Sequence, residues 1–134
     1  MAVEGLVTRA SRDGPPETLR RLEAAIVSRG MTVFAHVDHA AGAMSAGLAL
    51  RPTDLVIFGS AKAGTPLMAE SQTIGIDLPL KILIWQDAAG QTFVAYNDLA
   101  WLVSRHALGE PAGAIAHKMQ AGLAAIASEA AGGD

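Results

Sequence analysis

Apolar positions along this chain change their period several times, and each change marks an element. Leu19, Leu22 and Ile26 recur at spacings of three and four, which places them on one stripe of a helix. Pro15 and Pro16 fix φ for the start of that helix, Glu17 sits near its positive end, and Gly30 supplies a left-handed exit. Met31 to Asp38 alternates instead: Val33, Ala35 and Val37 fall on one side, and Thr32, Phe34, His36 and Asp38 on the other. That pattern predicts a strand with one apolar face. Apolar runs at Leu55–Phe58 and Leu80–Gln86 predict two more strands, and Glu4–Ala10 an earlier one stopped by SRDGPPE. Thr92–Tyr96 follows the tight turn Asp87–Gly90, so strands four and five form a hairpin.

Helices are expected between these strands. Ala40–Ala49 has Met44 and Leu48 at helical spacing, with Asp38 or the chain around His39 as its cap. Thr65 and Pro66 read as the N-cap and first residue of a short helix ending near Gln72, followed by a loop over Thr73–Pro79. Asn97 or Asp98 caps a helix to about His106. A final helix over Ala112–Ser128 buries Ile115, Met119, Leu123 and Ile126, and the terminal AAGGD is expected to fray. The sum is an α+β fold, a largely antiparallel sheet of about five strands with helices on one face. No repeat, linker or boundary divides residues 1–134 into more than a single domain.

Composition narrows the function classes. The chain is 51% hydrophobic but only 4% aromatic and 17% charged, which points to a tightly packed small-residue core and to surface hidden in an oligomer. Its net charge is −3, and no Lys/Arg block offers a nucleic-acid footprint. The absence of Cys excludes disulfides, thiolate metal sites and Cys nucleophiles. No leader and no membrane-length apolar run is visible, so the expected location is the cytoplasm.

Three segments, LRPTDLVIFGSAKAGTPLM, DLPLKILIWQDAAGQTFVAYND and RHAL, together with ETLRRLEAAIVSRGMTVFAHVDHA upstream, resemble the domain-of-unknown-function 302 family. The resemblance runs from about Thr8 to Leu108, with the helix of about 112–128 beyond it. At Ser60-Ala61 this chain departs from the family's more usual Asn-Pro, which bears on the shape of that loop. The resemblance implies a compact α+β domain similar to the TATA-binding-protein-like folds and a homodimer, and it implies no reaction. A likeness of fold does not carry DNA binding with it.

The stretch Gly59-Ser-Ala-Lys-Ala-Gly64-Thr65-Pro66 joins a strand to a helix start. Its free N–H groups, the helix dipole and Lys62 suit an anion. The Lys-Ser/Thr pair of a nucleotide-binding loop is missing, so triphosphate chemistry is excluded. The alternative is a purely structural turn. Arg105-His106 ends a helix, where cations complement the negative pole; Arg105 could also hold an anion and His106 move protons. Arg51 could join them or pair with Asp77 or Asp54. In HVDH, His36 and Asp38 share a strand face while His39 points away, so three metal ligands do not meet and no metal is expected. No Ser-His-Asp, paired-carboxylate or dinucleotide pattern is spelled out in the spacing, and no cofactor is implied. The first expectation is a dimeric module binding a small anionic ligand through Arg51, Gly59, Lys62, Gly64, Thr65, Arg105 and His106. The second is an enzyme using His106 or His39 as acid or base, and the third a structural or partner-binding domain.

Overall fold

The computed structural model of the protein describes residues 2–133. Five strands, β1 (Leu6–Ala10), β2 (Thr32–Asp38), β3 (Thr53–Gly59), β4 (Leu80–Gln86) and β5 (Thr92–Asn97), form one sheet in the order β1-β5-β4-β3-β2. Every neighbouring pair is antiparallel. The helices are α1 (Pro15–Ser28), α2 (His39–Ser45), α3 (Ala61–Glu70), α4 (Leu99–Arg105) and α5 (Ala112–Ala130), with a 3-10 turn over Gln72–Ile76. This is the α+β architecture that the alternating periods predict.

The register sets the two faces. Val56, Ile82 and Tyr96 stand opposite one another, as do Phe58 and Leu80, and Ile84 and Val94. All seven are buried, and they pack against Leu22 and Ile26 of α1, Leu99 and Leu102 of α4, and Leu123 and Ile126 of α5. Side chains of the intervening positions, Leu55, Ile57, Leu83, Trp85 and Phe93, point to the other face and stay half-exposed. On that face Trp85 stacks on Phe93, with ring centroids 5.2 Å apart. The helices therefore cover one side of the sheet and leave the other apolar and open.

Five local expectations change. The helix expected over Ala40–Ala49 ends at Ser45, and with Gly47 at φ +76° Leu48 lies beyond it. The helix after β3 starts at Ala61, not Thr65: Ser60 is its N-cap, the N–H groups of Ala63 and Gly64 donate to the Ser60 carbonyl, and Pro66 lies inside the helix. A proline read as a start signal is thus tolerated in the second turn, where it forfeits one intrahelical hydrogen bond. Residues 73–79 are not wholly loop, because Gln72–Ile76 makes a 3-10 turn before Pro79. Strand β2 does not alternate simply, because its register slips between Val33 and Ala35. Val33, His36 and Asp38 thereby share the helix-side face, and Phe34 falls in the irregularity. The tail does not fray at Ala130 and Ala131, which are buried; Arg21 Nε donates to the Ala130 carbonyl and the Arg12 N–H to that of Ala131.

The remaining ends follow their local chemistry. Asp98 caps α4 by accepting from the Ala100 N–H, and Asp38 caps α2 by accepting from that of Ala41. In the β4–β5 turn, Asp87 Oδ1 accepts from the N–H groups of Ala89 and Gln91, and Gly90 takes φ +85°.

Candidate functional site

The irregularity in β2, the end of β3 and the start of α3 enclose a cavity of about 330 Å³. Its sheet side is formed by Met31, Phe34, Gly59 and Leu80. Helix α3 contributes Ser60, Ala61, Ala63, Gly64, Thr65 and Met68, and α5 contributes Met119, Gly122 and Leu123. Leu78 and Pro79 close the remaining wall. The slipped register of β2 gives Phe34 its place in this wall, since a bulge re-aims the side chain it carries. Glycines keep the wall thin: a Cβ on Gly64 would stand 3.7 Å from both Leu78 and Met68, and one on Gly122 would meet nothing within 4 Å.

The chemistry of this cavity is overwhelmingly apolar. No charged side chain lines it, and the polar side chains in its wall are the hydroxyls of Ser60 and Thr65. Three thioethers, from Met31, Met68 and Met119, share the lining with Phe34 and the leucines. Methionine is flexible and polarizable, so such walls adapt to the shape of an apolar guest. A more open hollow of about 610 Å³ lies beside α2, edged by Asp38, Ala41, Met44, Ser45 and Leu48.

A second feature is a polar cluster joining the 3-10 turn to the end of α4. Arg105 donates from one terminal nitrogen to both oxygens of Asp77, at 3.0 and 2.9 Å, and its guanidinium lies 5.9 Å from the centre of the Trp101 ring. His106 Nε2 is 2.5 Å from Asp77 Oδ2, and its Nδ1 is 2.8 Å from the Thr73 hydroxyl, which in turn is 3.1 Å from that of Ser71. The His106 side chain is 7% exposed and that of Asp77 13%. Lys81 anchors the same corner by donating to the carbonyls of Asp77 and Pro79, and burial pushes its ammonium below the usual lysine range.

The seven residues expected to hold an anion are dispersed between these features. Gly59, Gly64 and Thr65 line the cavity. Lys62 is exposed on the first turn of α3, outside the lining. Arg105 and His106 engage the chain's own carboxylate, Asp77. Arg51 is exposed two residues before β3, at the end of that strand remote from Gly59. Asp54, offered as a partner for Arg51, instead takes His36 Nε2 at 2.8 Å. In HVDH, Asp38 caps α2 and His39 opens it; among the described residues no group of three His, Asp or Glu side chains is placed to hold a metal ion.

Sequence reasoning missed two sets of residues. Met31, Phe34, Met119, Gly122 and Leu123 form cavity wall, yet Met119 and Leu123 read as ordinary helix core and Phe34 as part of the mixed face of its strand, and only the fold reveals that they leave space. Thr73 and Asp77 belong to the His106 cluster, but 29 residues separate Asp77 from His106, and no local spacing joins them.

The chain is 46% identical to the fluoride-specific ion channel FluC 1 of Brucella suis biovar 1 (strain 1330) over 128 residues, covering 96% of this chain and 50% of that protein. FluC 1 of Brucella abortus biovar 1 (strain 9-941) is likewise 46% identical over 128 residues, which is 47% of its length. The chain thus spans about half the length of the curated relatives it matches, and the activity in their name belongs to proteins twice as long. Among the described residues no helix is long and apolar enough to cross a membrane. A crystal structure of an uncharacterized DUF302 protein from Bacillus stearothermophilus superimposes with a TM-score of 0.84, covering 96% of this chain and 99% of that one at 21% identity, which shows a shared fold. A family profile matches residues 7–126, and on that match the chain belongs to DUF302, a family of domains of unknown function.

Proposed function

We propose that this domain binds a small, largely apolar molecule in the cavity between β3, α3 and α5, with any polar or anionic head directed to Ser60, the N-cap of α3, and to Thr65 in its second turn. The observation that carries this reading is the cavity of about 330 Å³, whose apolar lining is interrupted only at Ser60 and Thr65. At about 30 Å³ per non-hydrogen atom it accommodates about ten such atoms. At about 0.5 kcal/mol per atom, a guest of that size binds with about −5 kcal/mol, a Kd of about 0.2 mM. The test is a thermal-shift and calorimetry series of straight-chain alcohols and carboxylates from six to twelve carbons. An affinity maximum near eight to ten carbons supports the proposal, and better binding of carboxylates than alcohols supports an anion at the start of α3. No saturable response to any member removes it.

The assembly that accompanies this reading is a homodimer built on the open sheet face. Five strands of five to seven residues, about 4.8 Å apart, present roughly 500 Å² in projection, against about 800 Å² per partner in a standard interface. The exposed side chains of Met44 (78%) and Leu48 (68%), on the α2 connection beside β3, are suited to supply part of the remainder. Along β3, β4 and β5 the face carries one charge, Lys81, whose ammonium already donates to the carbonyls of Asp77 and Pro79, so the cost of covering it with a second copy is confined to that corner. Light scattering should give twice the chain mass for the native protein and the single mass for Leu83→Glu. A native monomer removes the dimer and leaves the cavity reading intact.

A second functional reading comes from the Brucella relatives: a domain of this type acts beside a fluoride channel. The 46% identity over nearly the whole chain favours it. Fluoride tolerance of cells carrying or lacking this domain together with a channel tests it, and equal tolerance ends it.

A further inference from the structure

We propose that Thr73 is a nucleophile able to accept an acyl group from a small ester, with His106 as its general base and Asp77 as the residue that positions His106. The proposal rests on the polar cluster and is independent of the cavity reading. Both oxygens of Asp77 accept from Arg105, and in the tautomer that donates to Oδ2 the ring hydrogen sits on Nε2, the His106 nitrogen 2.5 Å away. That tautomer leaves a lone pair on Nδ1, and Nδ1 is the atom 2.8 Å from the Thr73 hydroxyl. The Thr73 proton is therefore directed at a base, while the Ser71 hydroxyl, 3.1 Å away, can donate to the Thr73 oxygen.

Three features separate this arrangement from a chance contact. The imidazole is 7% exposed, so water does not compete freely for Nδ1. Both oxygens of Asp77 are engaged by Arg105, which holds the carboxylate in one orientation. Thr73 itself is exposed, so a substrate can approach the hydroxyl even though its base is covered. A hydroxyl within hydrogen-bond reach of a histidine whose second nitrogen is fixed by a carboxylate is the general arrangement of activated alcohol nucleophiles.

The step balances without a further reactant. The Thr73 oxygen forms a bond to the ester carbonyl carbon, and its proton passes to His106 Nδ1. The carbonyl π pair moves onto oxygen and returns as the carbon–alkoxy bond breaks. The leaving group takes that bond's electron pair; an alkoxide also takes the proton from Nδ1, whereas nitrophenolate departs without it and the proton passes from Nδ1 to water. Water then attacks the threonyl ester while His106 accepts its proton; the bond from the acyl carbon to the Thr73 oxygen breaks, the acid leaves, and Nδ1 returns the proton to the Thr73 oxygen.

The probe is p-nitrophenyl acetate with the 134-residue chain, read by nitrophenolate release and by peptide mass spectrometry for an acetyl group on Thr73. The expected result is an adduct at Thr73 that is lost in Thr73→Val and retained in Thr73→Ser. It should form about 10²- to 10⁴-fold more slowly in His106→Gln. Circular dichroism checks that each variant is folded. Asp77→Asn can alter the corner it braces, so Thr73→Val, at an exposed position, carries the decision. Acetylation confined to lysines, or a Thr73 adduct forming at the same rate without His106, overturns the proposal.

Discussion

Gly122 offers a way to separate the stability of this fold from the use of its cavity. It lies inside α5, lines the cavity, and a Cβ placed there meets nothing within 4 Å. Gly122→Leu therefore has two opposite consequences. The helix gains because glycine is the poorer helix former, by about 0.5–1 kcal/mol, and partial burial of the new side chain adds up to about 1 kcal/mol. For a chain of this size a gain of about 1–2 kcal/mol raises Tm by about 3–8 °C. At the same time, four added carbons at about 30 Å³ each remove roughly a third of the 330 Å³. Differential scanning calorimetry with and without octanoate or octanol reads both effects. The expected protein melts higher alone and loses most of the ligand-induced shift. Wild-type ligand response in Gly122→Leu would refute the placement of the ligand. A fall in Tm would refute the open space at Gly122.

Other positions test the backbone, the caps and the charges. A Cβ on Gly5, at φ +75°, would stand 2.4 Å from Trp101, whereas one on Gly30, at φ +73°, meets nothing within 4 Å. Gly30→Ala should cost about 1–2 kcal/mol and Gly5→Ala about 1–3 kcal/mol more, and equal urea midpoints would show that Trp101 yields freely. Asp98→Ala removes the cap of α4 and should cost about 1 kcal/mol in urea denaturation, with Asp98→Ser recovering most of it. On the acid side, the Arg21 hydrogen bond, helped by Arg12, holds Asp13 below its ordinary 3.8, and the Arg20 hydrogen bond holds Glu17 below 4.5. Because the unfolded chain binds more protons in that range, the stabilisation is present above these ordinary values and fades as pH falls below them. The pair Asp13→Asn with Glu17→Gln should flatten the drop in Tm between pH 5 and pH 3, and an unchanged slope would show that these ion pairs do not contribute.

The hairpin was the most legible part of the chain, because Asp87 and Gly90 dictate the turn locally and the flanking strands alternate. Helices α1 and α4 were legible for the same reason: proline, aspartate and glycine signals agree with the apolar stripe. Where a single side chain serves a tertiary purpose, local signals misled. Pro66 advertises a helix start but sits in the second turn, because the chain turns helical directly after β3 at Ser60. Alternation in β2 is lost where Phe34 leaves the ladder to join the cavity wall. The candidate site was half legible. Gly59, Gly64 and Thr65 do border a cavity, but its apolar character comes from Met31, Met68 and Met119, which lie on different elements. The bond from His106 to Asp77 depends on where the 3-10 turn places the carboxylate, and one-dimensional spacing carries no such information.

The strand order also has a kinetic meaning. β4 and β5 adjoin through a short turn, while β1 reaches β5 across about ninety residues, from Leu6 to Asn97. Loop-closure entropy opposes that long-range pairing until the intervening chain is compact. Refolding should therefore begin in the β4–β5 hairpin and finish with β1 docking along the free edge of β5. Substitutions in β4 would slow folding, and substitutions in β1 would chiefly hasten unfolding. An edge that closes last is also the edge at which a growing or partly unfolded chain exposes an unpaired strand, and β5 is where such a chain would first meet a foreign partner.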